Sequence, residues 1–226
     1  MRKDLGGKTL GIIHAAVFTS QTVQKYIDEI IPEVSVMHLG DDTIQRDNLA
    51  AGVGVVPKSN YAKFITYARF LEEAGADLIM LACSTFNRAV EYARPMINAP
   101  MLQIDRPMMD LAVQDGNAVG LLATLPMTVP SSERLLRLAA EDAKKEIEIK
   151  TVLSGEAFKA LREGDPEKHN AILLDEIDKL SKEVDAIVMA QVSMTALEPR
   201  LTKTRVPVYN SGRTGFTKAR EILESL

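Results

Sequence analysis

One thiol, followed by hydroxyl side chains, is the clearest candidate for chemistry in this sequence. The only cysteine, Cys83, comes directly after the apolar run 78–82 and is followed by Ser84 and Thr85. A cysteine at the end of a buried strand, in front of the N–H groups of a helix start, has a lowered pKa and forms a thiolate more readily. We therefore expect Cys83 to act as a nucleophile, or as a base at a carbon next to a carboxylate. The alternative is inert packing, the commoner role of a buried cysteine.

Short apolar runs alternate with amphipathic patterns along the chain. Eight runs have the length and composition of strands, and patterns of helical period separate most of them. The predicted strands are 8–14, 34–39, 77–83, 100–104, 118–124, 146–153, 185–191 and 206–210. Strands that are apolar throughout and alternate with helices indicate α/β architecture, with parallel sheets covered on both faces.

A glycine, an aspartate and a proline of the first half of the chain each have a counterpart of the same type in the second half. The number of residues between the two members of each pair is nearly constant. The repeated positions are Gly11 and Gly120, Asp77 and Asp185, and Pro100 and Pro207. We therefore predict two duplicated, pseudo-symmetric, doubly wound α/β domains. The first comprises 1–112 together with 207–226, and the second comprises 113–206. Ligands bind beyond the carboxyl ends of such strands, so the active site is expected in the cleft between the domains, with Cys83 facing its repeat partner Gln191.

Two segments resemble motifs of the aspartate/glutamate/hydantoin racemase superfamily. ADLIMLACSTFNRAV is similar to its first cysteine motif, and VGLLATLPMTVPSS to the segment that opens its second half. The resemblance implies cofactor-free proton transfer at the carbon α to a carboxylate, with two cysteines flanking the substrate. The second cysteine motif of the family reads Gly-Cys-Thr-His, and the aligned residues here are AQVS, with Gln191 in place of the cysteine. An amide cannot act as a general base near neutral pH, so two-thiol racemisation is not expected.

Several hydroxyl and amide groups are candidates for holding a carboxylate. An enediolate intermediate needs preorganised donors, which Ser and Thr side chains and helix-start amides can supply. The candidate substrate-binding residues are Thr124, Thr128 and Ser131 in the second segment, Ser84 and Thr85 beside the thiol, and Gln191 and Ser193 opposite. His14, at the end of the first strand, is the best candidate for a second catalytic acid or base, since its ordinary pKa of ~6.5 suits proton transfer. The alternatives are helix caps for the hydroxyls and a structural role for the histidine.

Composition and charge exclude several classes of protein. The chain has 226 residues, of which 46% are hydrophobic and 26% charged, which is typical of a globular protein. A net charge of -4 argues against nucleic-acid binding. No segment approaches the ~20 apolar residues of a membrane span, and one cysteine gives no sign of an oxidising compartment. We expect a cytoplasmic protein that acts on a small carboxylate without cofactor or metal. Dimers are common in the families it resembles, so a homodimer is an open expectation.

These observations leave four functions open. The leading hypothesis is a cofactor-independent racemase-like or isomerase-like enzyme that uses Cys83 as its single catalytic thiol on a small amino or organic acid. The second is a decarboxylase or lyase that protonates one face of an enediolate, as the single-cysteine arylmalonate decarboxylases of the superfamily do. The third is an enzyme in which Cys83 attacks an acyl or imide carbon with His14 as its base. The fourth is a non-catalytic, two-lobed protein that binds small anions.

Overall fold

The first half of the chain forms a sheet of four parallel strands in the order β2-β1-β3-β4. The computed structural model describes residues 3–226. The elements of this half are β1 (Thr9–His14), α1 (Thr19–Ile30), β2 (Ser35–Gly40), α2 (Asp42–Ala51), α3 (Lys58–Glu73), β3 (Leu78–Leu81), α4 (Ala89–Ala93), a 3-10 helix (Arg94–Met96) and β4 (Met101–Gln103).

The second half repeats this arrangement with a sheet in the order β6-β5-β7-β8. Its elements are α5 (Arg106–Asp115), β5 (Ala118–Ala123), a 3-10 helix (Pro126–Thr128), α6 (Val129–Ala143), β6 (Glu148–Leu153), α7 (Gly155–Arg162), α8 (Pro166–Leu180), β7 (Ala186–Met189), a 3-10 helix (Val192–Arg200), β8 (Val208–Asn210) and α9 (Ser211–Ser225). All eight predicted strands form, and the prediction of two duplicated, parallel α/β units is confirmed.

The repeated aspartates and prolines make the same hydrogen bonds in both sheets. The Asp77 carboxylate accepts the N–H of Thr9 at 2.8 Å, and the Asp185 carboxylate accepts the N–H of Ala118 at 2.9 Å. Each aspartate therefore satisfies the first donor of the central strand. In the same way, the carbonyl groups of Pro100 and Pro207 accept the N–H groups of Ile79 and Ile187, both at 2.9 Å. The sequence repeat thus reflects backbone donors and acceptors that the two sheets satisfy identically.

The repeated glycines leave room for a helix to pack on each central strand. A Cβ at Gly11 would lie 2.9 Å from Leu71 of α3, and a Cβ at Gly120 would lie 2.6 Å from Leu180 of α8. Real Cβ atoms do not approach other atoms so closely without displacement. The glycine in each half therefore fixes how closely the covering helix lies to the sheet.

The central strands of each sheet are buried on both faces. In the first half, alternate residues of β1 and β3 pack against α1 and α9 on one side and against α3 and α4 on the other. The second half has two equivalent clusters, formed mainly with α5 and α6 on one side and with α7 and α8 on the other. None of the helices in 3–226 is long and apolar enough to span a membrane.

The structure corrects both predicted domain boundaries. Strand β8 pairs with β7, so residues 208–210 lie in the second sheet, although the sequence repeat assigns 207–226 to the first domain. Helix α5 buries Met108 and Met109 against the second sheet, although the predicted boundary assigns residues 106–112 to the first. Helix α9 does return to the first half, where Phe216 is fully buried. The chain therefore passes between the halves at 105–106 and again at 210–211.

Candidate active site

Cys83 and Gln191 occupy equivalent positions beyond the ends of β3 and β7. One further ladder bond extends each strand, from Ala82 N–H to Ile13 O and from Ala190 N–H to Leu122 O, both at 2.9 Å. Cys83 and Gln191 are the next residues along the chain. Both side chains line one pocket between the two halves, so the duplication brings them together as the sequence predicts.

This pocket, which we call the thiol pocket, has a volume of about 90 Å³. It is lined by residues from both halves, which are Ala15, Ala16, Phe18, Thr19, Gln45, Ala82, Cys83, Ser84 and Thr85 from the first and Leu125, Thr128, Gln191, Val192 and Ser193 from the second. Among these residues, only Cys83 has a side chain that titrates. The remaining lining offers hydroxyl, amide and apolar groups.

The Cys83 thiol has hydrogen-bond partners, but burial has the larger effect on its pKa. Burial raises the pKa above its ordinary value, and the nearby Asp105 carboxyl raises it further. The Thr85 hydroxyl, 3.2 Å from Sγ, and the N–H groups of Thr85 and Phe86 lower it only in part. The expectation of a lowered pKa is therefore wrong for this structure. Helix α4 begins only at Ala89, so the turn 84–88 separates its N-terminus from the sulfur.

The Gln191 amide occupies hydrogen-bond donors that the sequence pattern assigns to a substrate carboxylate. Its Oε1 accepts the N–H of Thr124 at 2.6 Å, the hydroxyl of Thr124 at 3.1 Å and the N–H of Leu125 at 3.2 Å. Thr124 is buried and does not line the thiol pocket. Gln191 thus places a neutral carbonyl oxygen on the donors at the end of β5.

The other predicted substrate-binding residues divide between two cavities. Ser84, Thr85, Thr128 and Ser193 line the thiol pocket. The hydroxyl of Thr128 is buried and has no hydrogen-bond partner within 3–226, so it is available to a ligand. Ser131 lines a neighbouring cavity instead.

His14 is held away from the thiol pocket by two hydrogen bonds. Its Nδ1 lies 2.7 Å from the hydroxyl of Thr19, and its Nε2 lies 2.9 Å from Nδ1 of His38. The Thr19 hydroxyl donates to Ala16 O, so the neutral His14 ring donates from Nδ1 and accepts at Nε2. Burial, and His38 to a lesser extent, lower the pKa of His14 to about 4. It can influence the pocket only through Thr19, and its role as a catalytic acid or base stays a prediction.

Asp105 is the residue of this region that sequence reasoning missed. It is fully buried, and neither carboxylate oxygen has a hydrogen-bond partner within 3–226. Burial raises its pKa to about 7, although the hydroxyls of Ser84 and Ser211 approach it and lower the pKa in part. Leu81 at the end of β3 pairs with Gln103 at the end of β4, so Cys83 and Asp105 each follow their paired strand end by two residues. The sequence did contain a signal for this residue, because Asp105 directly follows the apolar segment PMLQI.

Comparison with solved structures identifies the fold. An aspartate racemase homologue from Pyrococcus horikoshii OT3 superposes with a TM-score of 0.75 at 19% identity, covering 96% of this chain and 99% of that chain. The aspartate racemase of Picrophilus torridus gives 0.69 at 20% identity, covering 95% of both chains. The allantoin racemase of Klebsiella pneumoniae gives 0.69 at 19% identity, covering 96% of this chain and 88% of that chain. At these identities the likeness establishes the fold alone.

Sequence comparison establishes the family. No curated protein matches the chain. The family model described as Asp/Glu/Hydantoin racemase matches residues 18–219, which include both strand ends that form the thiol pocket. The chain therefore belongs to the Asp/Glu/Hydantoin racemase family.

Proposed function

We propose that this protein is a cofactor-independent enzyme that transfers a proton at the carbon α to a carboxylate of a small amino or organic acid. Cys83 is its single catalytic thiol. Thr128, with Ser84, Thr85 and Ser193, supplies hydrogen-bond donors for the substrate, and Gln191 lines the opposite wall without exchanging protons. The cytoplasmic location and the absence of a cofactor remain part of this proposal.

One observation carries the proposal. The thiol pocket contains a single titratable side chain, Cys83, and the position that would hold a second thiol is filled by the Gln191 amide. A carbanion enzyme with one proton-transferring group acts on one face of its planar intermediate. The expected chemistry is therefore exchange or protonation on that face, with two-way racemisation slow or absent.

The raised pKa of Cys83 favours the variant of this chemistry in which the enzyme donates the proton. Because burial stabilises the neutral thiol, the resting group is S–H. In the decarboxylation of a 2-substituted malonate, the bond from the α carbon to one carboxylate breaks, CO₂ leaves, and the electron pair is delocalised into the remaining carboxylate as an enediolate. The S–H proton then passes to carbon, and the resulting thiolate takes a proton from water. A decarboxylase or lyase is accordingly the second candidate.

The remaining hypotheses receive less support from the geometry. Attack of Cys83 on an acyl carbon with His14 as base needs the two side chains within hydrogen-bond reach, about 3 Å. His14 does not line the thiol pocket, and both its ring nitrogens are engaged by Thr19 and His38. A non-catalytic anion-binding protein would keep the pocket but would show no isotope exchange.

The test is proton exchange in D₂O. The protein is incubated with a panel of α-amino acids, 2-substituted malonates and other small acids, and NMR follows deuterium at the α carbon and any loss of CO₂. We expect deuterium incorporation or decarboxylation to give one enantiomer, and we expect Cys83→Ala to abolish it. The variant Ser225→Ala, in the exposed last turn of α9, is the control and should be fully active. Fast racemisation by the wild type would refute the one-thiol mechanism.

A further inference from the structure

Three side chains form a hydrogen-bonded row that runs from the surface of the first half to the thiol pocket. At the outer end, His38 is exposed on β2. It lines a surface hollow of about 410 Å³ together with Ser20, Gln21 and Gln24. Nδ1 of His38 lies 2.9 Å from Nε2 of His14, and Nδ1 of His14 lies 2.7 Å from the hydroxyl of Thr19, which lines the thiol pocket. We call His38, His14 and Thr19 the histidine row.

The hydrogen bonds of the histidine row all point towards the pocket. The Thr19 hydroxyl donates to Ala16 O at 2.7 Å, so it accepts from Nδ1 of His14. A neutral imidazole that donates from one nitrogen accepts at the other, so Nε2 of His14 accepts from Nδ1 of His38. Nε2 of the exposed His38 ring is then the nitrogen that can take a proton from solvent. Donors aligned in this way can move a proton inwards by a series of short transfers.

The thiol pocket needs a source of protons outside its own lining. Cys83 is its only titratable side chain, and a thiol that gives its proton to a substrate carbon must be protonated again. A bound acid displaces the water that could do this. The buried Asp105 approaches Ser84, but it has no hydrogen-bond partner within 3–226. His14, by contrast, is hydrogen-bonded both to the pocket lining and to an exposed titratable side chain.

We propose that the histidine row is a proton relay, which carries protons between solvent and the thiol pocket while an acid occupies the pocket. This inference rests on the proposed function and adds the route by which its thiol is protonated again. In one delivery, His38 takes a proton from solvent at Nε2 and passes its Nδ1 proton to Nε2 of His14, which passes its own Nδ1 proton to Thr19. The hydroxyl proton of Thr19 goes to the Cys83 thiolate, directly or through one water.

The relay moves one proton without storing charge on the buried ring. After a delivery, His38 and His14 are both neutral and each is the other tautomer. One transfer in the outward direction, after the product has left, restores both rings. A pKa of about 4 for His14 fits this scheme, because the buried imidazolium is not needed at any step.

The variant His38→Gln tests the relay, because an amide N–H can still donate to His14 but an amide cannot pass protons on. Rates of deuterium incorporation and of CO₂ loss are measured with the acids of the D₂O panel. We expect the variant to be slower by about tenfold or more, a smaller loss than removal of a direct general acid causes. Added imidazole should restore the rate from the surface hollow. Gln21→Ala, an exposed position beside the same hollow, is the matched control and should be as active as the wild type.

A second variant breaks the relay at its inner end. Thr19→Val should also be slow, but imidazole at the surface should not restore its rate, because the missing hydroxyl lies beside the pocket. Equal turnover by the wild type and His38→Gln, or rescue of Thr19→Val by imidazole, would overturn the relay and leave the proposed function in place.

A further measurement needs no substrate. Histidine-labelled protein is transferred to D₂O, and NMR follows exchange of the buried Nδ1–H of His14. We expect this exchange to be slower in His38→Gln than in the wild type or in Gln21→Ala by about tenfold or more, as for turnover. Exchange that does not depend on His38 would overturn the relay. A wild type that is inactive on every acid of the panel, with His14 exchange still dependent on His38, would overturn the proposed function and support the relay.

Discussion

Replacement of Asp105 by asparagine should stabilise the protein at neutral pH and leave it unchanged in acid. Asp105 is 0% exposed, and burial raises its pKa from the ordinary value of 3.8 to about 7. The folded state therefore keeps a proton that the unfolded state loses, and stability falls as pH rises from about 4 to about 7. A tenfold change in an acid constant is worth about 1.4 kcal/mol, so ionised Asp105 costs about 4 kcal/mol above pH 7. A domain is stable by only about 5–15 kcal/mol in total.

Urea unfolding of the wild type and of Asp105→Asn between pH 4 and pH 8 measures this difference. The variant should match the wild type within about 1 kcal/mol at pH 4, where both side chains are neutral in the folded state, and exceed it by up to about 4 kcal/mol at pH 8. Its thiol should also be alkylated faster at pH 8, because ionised Asp105 raises the pKa of Cys83. Asp142→Asn, which removes a surface ion pair with Arg106, is the control and should cost at most about 1 kcal/mol. A loss of stability of equal size at pH 4 and pH 8 would refute the reasoning.

Two further predictions concern the thiol and the packing of α9 against α1 in the first half. The rate of Cys83 alkylation should still increase with pH beyond 9.0, the ordinary pKa of a cysteine thiol. The variant Thr85→Val should be alkylated several-fold more slowly at a given pH, because it lacks a hydrogen bond that favours the thiolate. The check is the rate against pH for both proteins, and a plateau below pH 9 would contradict the raised pKa. Gly212→Ala should cost about 1–3 kcal/mol in urea unfolding, because the added Cβ would lie 2.1 Å from Tyr26. Gly155→Ala, where a Cβ meets nothing within 4 Å, is the control and should show little change.

The strands, and the position of Cys83 opposite Gln191, could be predicted from the sequence. The central strands β1, β3, β5 and β7 are short runs of apolar residues buried on both faces, so their composition alone marks them. Repeated aspartates and prolines could be matched between the halves because each makes a backbone hydrogen bond that the fold requires. The ends of the two equivalent strands then had to lie at the same cleft.

Helices with weak local signals, and the hydrogen-bond partners of polar side chains, could not be predicted from the sequence. Helix α2 has such a weak signal, because only Ile44 and Asn48 are buried along it; its N-cap is Asp41, whose carboxylate accepts the N–H of Thr43. Helix α5 carries no clear pattern and is split by the predicted domain boundary, because its buried methionines are recognised only once the second sheet is present. Likewise, nothing in the sequence indicates that Gln191 takes the donors of Thr124. Such pairings depend on tertiary distances, which a strand pattern does not specify.

The two passages between the halves lie side by side, since Ser211, which opens α9, adjoins Asp105, which precedes α5. The halves are therefore covalently joined along one line, and a rotation about it could open the cleft while few backbone torsions change. Ion pairs that cross the cleft, such as that between Arg134 and Glu91, would have to separate as it opens. Entry of a ligand and domain opening would then be coupled through the same side chains. Asp105 lies on this line, so the buried carboxyl group with the raised pKa is placed where the two crossings of the chain meet.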